Sequence, residues 1–171
     1  MQYAHGGDIY TYKNLLDFSI NVNPLGPADA VVEAAARSLQ RIGEYPDRQS
    51  RELRNALAEK KGLAAEQFVI GNGAADLLFS LVLAEKPQKA MIVIPAFSEY
   101  EQALKTVGCE ILYHEVKKEN NFRLGTDLTE KITSELDFLF LCSPSNPAGQ
   151  AVEKEFDDLL IGQKDNANNY L

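Results

Sequence analysis

The sequence contains no tryptophan and only two cysteines, two methionines and two histidines. Cys109 and Cys142 form no CxxC pair and join no histidine cluster, so neither a structural zinc site nor a disulfide framework is expected. They read as two small core thiols in a reducing compartment. Basic residues are in deficit, with 17 Lys and Arg against 25 Asp and Glu, a formal charge of −8. That balance disfavours nucleic acid and anionic membrane as main partners. It leaves room for a local anion site built from backbone N–H groups. No apolar run approaches the ~20 residues of a membrane span. The opening Met1-Gln2-Tyr3-Ala4-His5 has neither a basic n-region nor an apolar h-region. A cytoplasmic protein is the expectation that follows.

What is present suits a folded domain: 171 residues, 45% of them hydrophobic. The first stretch is rich in Gly, Asn and Asp and ends in Asn23-Pro24-Leu25-Gly26-Pro27, so it reads as an extended arm with turns. Helical spacing of Val31, Val32, Ala35, Leu39 and Ile42 predicts a helix over 29–42. A second is predicted over 50–61, with Ser50 as its cap and Gly62 closing it. Thereafter strands and helices alternate. Strands are predicted over 68–70, 90–94, 110–116 and 138–142, and helices over 74–84, 98–107, 126–134 and 153–161. The best strands are apolar on both faces. The expected fold is therefore α/β, a three-layer, mostly parallel, doubly wound sheet preceded by the arm and two helices. The expected organisation is 1–62 arm and helices, 63–161 a partial cofactor-binding domain, and 162–171 a frayed tail.

Ligands of such sheets sit beyond the carboxyl ends of the strands, so the segments there matter most. Gly71-Asn72-Gly73-Ala74-Ala75-Asp76 joins a strand to a helix, and a helix opening on glycines suits a phosphate. A dinucleotide fits poorly: Asp76 stands where a third glycine belongs, and the next strand ends Val93-Ile94-Pro95 with no acid for a ribose. Phe97 follows that strand, where a ring can stack on a flat ligand. Asn146 follows the most apolar strand and is held between Pro144 and Pro147, an amide placed to meet a ligand oxygen. Each has an ordinary structural explanation as well: a βα turn, a core ring and a turn asparagine. A methyltransferase would use Asn146-Pro147 as a catalytic corner, but that corner continues Ala148-Gly149 with no aromatic residue.

Taken in order, the segments resemble the fold-type I pyridoxal-phosphate enzymes of the class I/II aminotransferase superfamily. They are most similar to the threonine-phosphate decarboxylases of cobalamin biosynthesis, then to the histidinol-phosphate aminotransferases. The resemblance rests on His5-Gly6-Gly7-Asp8, the run from Leu16 to Pro27, Tyr45-Pro46-Asp47, Gly71 to Asp76, Pro95 to Tyr100, and Ser145 to Gly149. It implies pyridoxal 5'-phosphate as cofactor and a phosphorylated amino acid as substrate. The backbone of Gly73, Ala74 and Ala75 would hold the cofactor phosphate. Phe97 would stack on its ring, and Asn146 would bond its 3-oxygen and lie close to the substrate carboxylate. Tyr45 would reach the phosphate in a neighbouring subunit, which implies a homodimer. His5, Gly6 and Asn21 would contact the substrate as the arm closes over it. Ala148 stands where the family usually has threonine, a small departure.

The larger departure concerns the chemistry itself. The family needs a lysine that joins the cofactor as a Schiff base and an aspartate that pairs with its ring nitrogen. No lysine here stands in a Ser-x-Thr/Ser-Lys setting, and no Asp-Glu-Ala-Phe/Tyr strand end follows Asn146. Lys131 and Lys154 have acidic neighbours and read as solvated charges. The chain is accordingly expected to be an N-terminal fragment, inactive alone and binding the cofactor weakly or not at all. The other expectation is a non-catalytic remnant that binds phosphate ligands or another chain.

Overall fold

The computed structural model describes residues 6–11, 13, 15–154 and 156. The chain divides into two compact units, Met1–Phe68 and Val69–Leu171.

In the first unit the described residues of the arm form no helix or strand before residue 29, in keeping with its composition. Side chains close its turns. Asp8 Oδ1 accepts the N–H groups of Tyr10 and Thr11 at 3.2 and 2.9 Å. Asn23 Oδ1 accepts that of Leu25 at 3.0 Å, and the Asn23 amide donates to Gly26 O at 2.9 Å. These are the local bonds that let Asp and Asn replace a helix or ladder.

Helix α1 (Asp29–Ser38) has Asp29 in its first turn and Arg37 in its last, each matched to the helix dipole. The predicted helix to residue 42 stops sooner: the α-helix ends at Ser38 and a 3-10 turn, Leu39–Arg41, follows. Helix α2 (Arg51–Lys61) ends at Gly62 as expected, in left-handed backbone. Its start differs from expectation. Ser50 occupies the capping position at φ +46° and its side chain makes no cap. Asp47 supplies the cap instead, its Oδ2 accepting the Arg51 N–H at 2.9 Å while its Oδ1 accepts that of Gln49 at 3.1 Å. These backbone donors hold the Asp47 carboxyl below its ordinary pKa. Neither α1 nor α2 buries a residue.

The second unit runs α3 (Gly73–Glu85), β1 (Lys89–Ile94), α4 (Ser98–Thr106), β2 (Glu110–Glu115), α5 (Asp127–Lys131) and β3 (Phe138–Phe140). All three strands are parallel, in the order β2-β1-β3, with Ile92 opposite Tyr113 on one side and Phe140 on the other. The path from β1 to β2 uses α4, and the return across β1 to β3 uses α5. Alternation along β1 feeds two cores. Ala90 and Ile92 join Val82 of α3, Ala103 and Leu104 of α4, Cys109 and Phe140. Met91 points the other way, to Leu128, Leu136 and Leu139. With helices on both faces of a parallel sheet, the expected three-layer α/β class is what the chain adopts.

Three expectations need correction. Residues 68–70 form no strand, because no strand of the sheet pairs with them. An apolar run becomes a strand only where a neighbour takes its ladder bonds. The strand predicted over 138–142 ends at Phe140, before the proline-rich loop, and the helix over 126–134 shrinks to α5. Of the helix over 153–161 only Glu153, Lys154 and Phe156 are described, the first not helical and the other two helical, and the tail 162–171 lies outside the described residues. Both cysteines are free thiols, but only Cys109 is buried, and Cys142 is half-buried.

His114 is the buried polar group of the second core, 1% exposed on β2. Lys131 Nζ lies 3.1 Å from its Nδ1, and Asp127 Oδ2 lies 3.8 Å from its Nε2. An ammonium can only donate, so Nδ1 is the acceptor and the ring is neutral. Burial, then the Lys131 charge, push its pKa down, and Asp127 opposes them. The unfolded chain therefore takes up this proton first as pH falls. Stability held by neutral His114 is fully present above pH ~6.5 and declines below it, until the depressed folded pKa is reached. Urea melts between pH 7.5 and 5 are expected to show a loss approaching about 1.4 kcal/mol per pH unit that His114→Gln flattens. Parallel profiles for the two proteins would refute the assignment.

Candidate functional site

The second unit carries Gly73, Ala74, Ala75, Phe97 and Asn146. The connection between α3 and β1 is only residues 86–88, so α3 must run back along the sheet. Its first turn thus lies toward the carboxyl ends of the strands. The turn is built to leave donors over. Asn72 N–H is bound by Asp76 Oδ2 at 2.8 Å, and Gly73 N–H by Gly71 O at 3.0 Å. Ala74 and Ala75 follow at positions whose N–H groups have no acceptor within a helix. Gly73 has φ +84°, a conformation a side chain would strain, and open space faces it where a Cβ would stand. Of the three N–H groups the sequence points to, that of Gly73 is bonded and those of Ala74 and Ala75 stand in the helix's unbonded first turn.

Phe97 leaves the carboxyl end of β1 and is half-buried. Its ring meets Tyr100 edge-on, centroids 6.0 Å apart and planes at 86°. Tyr100 stacks on Phe140 of β3 at 4.4 Å and 10°, and Phe140 meets Phe138 at 4.9 Å. An aromatic ladder thus anchors Phe97 to the sheet, each step worth about 0.5–1.5 kcal/mol beyond area burial. Burial and a hydrogen bond with Cys142 raise the Tyr100 hydroxyl to about 12. The sequence reading assigned Tyr100 no role, although its spacing of one helical turn from Phe97 is the signal that places both rings together.

Asn146 follows β3, the neighbour of β1, so its loop and that of Phe97 leave adjacent strands at the same edge of the sheet. The loop is closed by Ser145 N–H to Gln150 O and Gly149 N–H to Ser145 O, both 2.7 Å. Val152 N–H binds Ser143 Oγ at 3.0 Å, tying down the next residues. Asn146 sits exposed inside this closed turn, and its peptide bond to Pro147 is cis, as are Ile94–Pro95 and Ser143–Pro144. Beside the loop, Val93, Pro95, Leu124, Cys142 and Val152 line a cavity of about 30 Å³. That is room for about one water, too little for a ligand.

Gly6, Asn21 and Tyr45 belong to the first unit, and His5 lies outside the described residues. Gly6 packs so closely on Ser19 that a Cβ would stand 2.3 Å from Ser19 O, and Gly7 N–H binds Ser19 Oγ at 2.8 Å. Asp17 Oδ1 in turn accepts Ser19 N–H at 2.8 Å and its hydroxyl at 2.5 Å. These bonds lower the Asp17 pKa. The arm thus folds back on itself, setting Gly6 against Ser19, two residues before Asn21. Tyr45 is 86% exposed. Among the described residues no group of three or more His, Cys, Asp or Glu is placed to hold a metal, and no helix is long and apolar enough to cross a membrane.

This doubly wound α/β arrangement of parallel strands and helices is the fold of aminotransferase-like proteins. The family model "Aminotransferase class I and II" matches residues 13–161, and the chain belongs to that family. It is similar to the threonine-phosphate decarboxylase of Salmonella typhimurium, 38% identical over 159 residues, covering 88% of this chain and 44% of that protein. The histidinol-phosphate aminotransferase of Moorella thermoacetica is 35% identical over 156 residues, covering 88% of this chain and 39% of that one. In fold it matches the solved histidinol-phosphate aminotransferase of Clostridium acetobutylicum with a TM-score of 0.77 at 24% identity, over 91% of this chain and 45% of that one. The chain therefore spans less than half the length of these relatives.

Proposed function

We propose that the chain is the N-terminal portion of a pyridoxal-phosphate-dependent enzyme acting on a phosphorylated amino acid, most like threonine-phosphate decarboxylase. The observation that carries this reading is the 38% identity to that decarboxylase across 159 residues. The donor turn, the braced Phe97 and the Asn146 loop, all within the matched region, support it. The residues present fit the cofactor. The N–H groups of Ala74 and Ala75 would hold its phosphate, Phe97 would stack on its ring, and Asn146 would hydrogen-bond its 3-oxygen. Bound there, the cofactor would supply an electron sink for the bond broken at the substrate's α-carbon. Gly6, Asn21 and His5 of the arm, together with Asn146, would bind and orient the substrate, and Tyr45 would serve a neighbouring subunit of a homodimer. A cytoplasmic location goes with this reading.

The residues here bind and orient; none is read as the reacting lysine. The chain by itself is expected to release no carbon dioxide from O-phosphothreonine. After incubation with pyridoxal phosphate and borohydride, mass spectrometry is expected to find no lysine modified stoichiometrically. One fully labelled lysine together with turnover would overturn this. The 35% identity to a histidinol-phosphate aminotransferase supports a second reading, amino-group transfer from histidinol phosphate. A chimera of this chain with the remainder of the Salmonella decarboxylase, assayed on both substrates, separates the two.

A further inference from the structure

The loop that carries Asn146 is shaped from within. Ser145 N–H to Gln150 O, Gly149 N–H to Ser145 O, Gln150 N–H to Ser145 Oγ and Val152 N–H to Ser143 Oγ all run between residues 143 and 152. Such bonds set the shape of a turn, not its place beside the sheet. Packing on the sheet is incomplete there, since Cys142, Ser145 and Val152 share a cavity of about 30 Å³ with Val93 and Pro95 at the end of β1.

One side chain reaches both ligand-facing loops. The Tyr100 ring lies flat on Phe140, centroids 4.4 Å apart and planes at 10°, and meets Phe97 edge-on. A ring clamped between two others holds its hydroxyl in one place, and there it bonds the Cys142 sulfur. The Cys142 thiol directs its own hydrogen to Pro144 O at 3.2 Å, which leaves its lone pairs to accept from Tyr100. Pro144 stands two residues before Asn146. From this ring one contact runs to Phe97. A second path, Tyr100 Oη to Cys142 Sγ to Pro144 O, runs to the Asn146 loop.

We infer that Tyr100 is a positioning residue for Asn146, its hydroxyl fixing the loop through the Cys142 sulfur while its ring fixes Phe97. This rests on the cofactor reading above, in which Phe97 stacks on a flat ring and Asn146 meets an oxygen at its edge. Two such contacts serve one ligand only at a set separation, and an error of ~1 Å forfeits much of their effect. A tyrosine tied to both keeps them in step. A phenylalanine at position 100 would brace Phe97 as well and leave the loop unheld, so the hydroxyl is the informative group.

The test compares the ¹⁵N-labelled 171-residue chain with Tyr100→Phe, Cys142→Ala and the double variant, all without cofactor. Tyr100→Phe keeps the stacked ring, so the Phe97 amide should stay in place. The amides of Ser145, Asn146 and Gly149 and the side-chain amide of Asn146 are expected to shift. Hydrogen exchange at the bonded Ser145 and Gly149 amides should quicken about threefold, the size expected for one lost bond to sulfur. Cys142→Ala cuts the same path from its other end. It should move the same signals, and the double variant should move them no further. A role confined to bracing Phe97 leaves the loop signals of Tyr100→Phe unmoved. That result, unchanged exchange, or effects that add in the double variant overturns the inference. No cofactor is present, so these outcomes judge the coupling alone. The cofactor reading falls separately, if the decarboxylase chimera develops no absorbance from bound pyridoxal phosphate while the loop coupling holds.

Discussion

Leu104→Ala is expected to lower the unfolding free energy of the second unit by about 3 kcal/mol. Leu104 is 0% exposed and packs among Val82, Ile92, Ala103 and Phe140, where α3, α4, β1 and β3 meet. Truncation removes the transfer energy of the lost carbons and leaves a hole that the sheet cannot close, because its neighbours are themselves held in strand register. Urea unfolding followed by far-UV circular dichroism should show a lower midpoint with an unchanged slope. Leu53→Ala on α2, where the side chain is 50% exposed, provides the contrast and should cost less than about 1 kcal/mol. A loss below that level for Leu104 would mean that this cluster is not the core of the unit. The same cluster includes Tyr100 at its margin, so loosening it also loosens the rings that brace Phe97. Stability and the candidate site are coupled on this face of the sheet.

The alternation of apolar strands with helices, and the glycine and proline punctuation between them, made the layered α/β class legible in the sequence. β1 was placed almost to the residue because its run is apolar on both faces and bounded by Pro87 and Pro95. Residues 68–70 look just as strand-like, but pairing is a property of a neighbour and not of the run. Ser50 failed as a cap for a related reason. Residue preference points to a hydroxyl at that position, whereas the bond goes to whichever oxygen the turn brings near, and the turn brings Asp47. The loops after the strands were legible as ligand-facing because topology fixes where such ligands sit. What could not be read was which donors stay unpaired. Gly73 N–H looked available in the sequence and is taken by Gly71 O.

Asp137→Ala tests the opposite end of the sheet. Asp137 precedes β3, and its Oδ2 accepts the Gln88 and Lys89 N–H groups at 2.7 and 3.0 Å, while its own N–H binds Lys89 O at 2.9 Å. One carboxylate thus ties the first residue of β1 to the strand beside it, across 48 positions of sequence. Removing it strands two backbone donors and two charge-assisted bonds. The site is exposed, so water recovers part of the loss, and the net cost is expected to be about 2 kcal/mol. Asp137→Asn keeps an oxygen acceptor without the charge and should cost about half as much. The two variants should therefore rank in that order by urea midpoint, and equal losses would show that the charge contributes nothing. Asp137 lies at the amino ends of the strands, whereas Phe97 and Asn146 follow the carboxyl ends. Well below the melting temperature, then, amides 73–75 of the ¹⁵N-labelled chain should respond to added inorganic phosphate to the same degree with and without Asp137→Ala, while the variant loses its folded spectrum at a lower temperature. A weakened response in the fully folded variant would show that the two ends of the sheet are coupled.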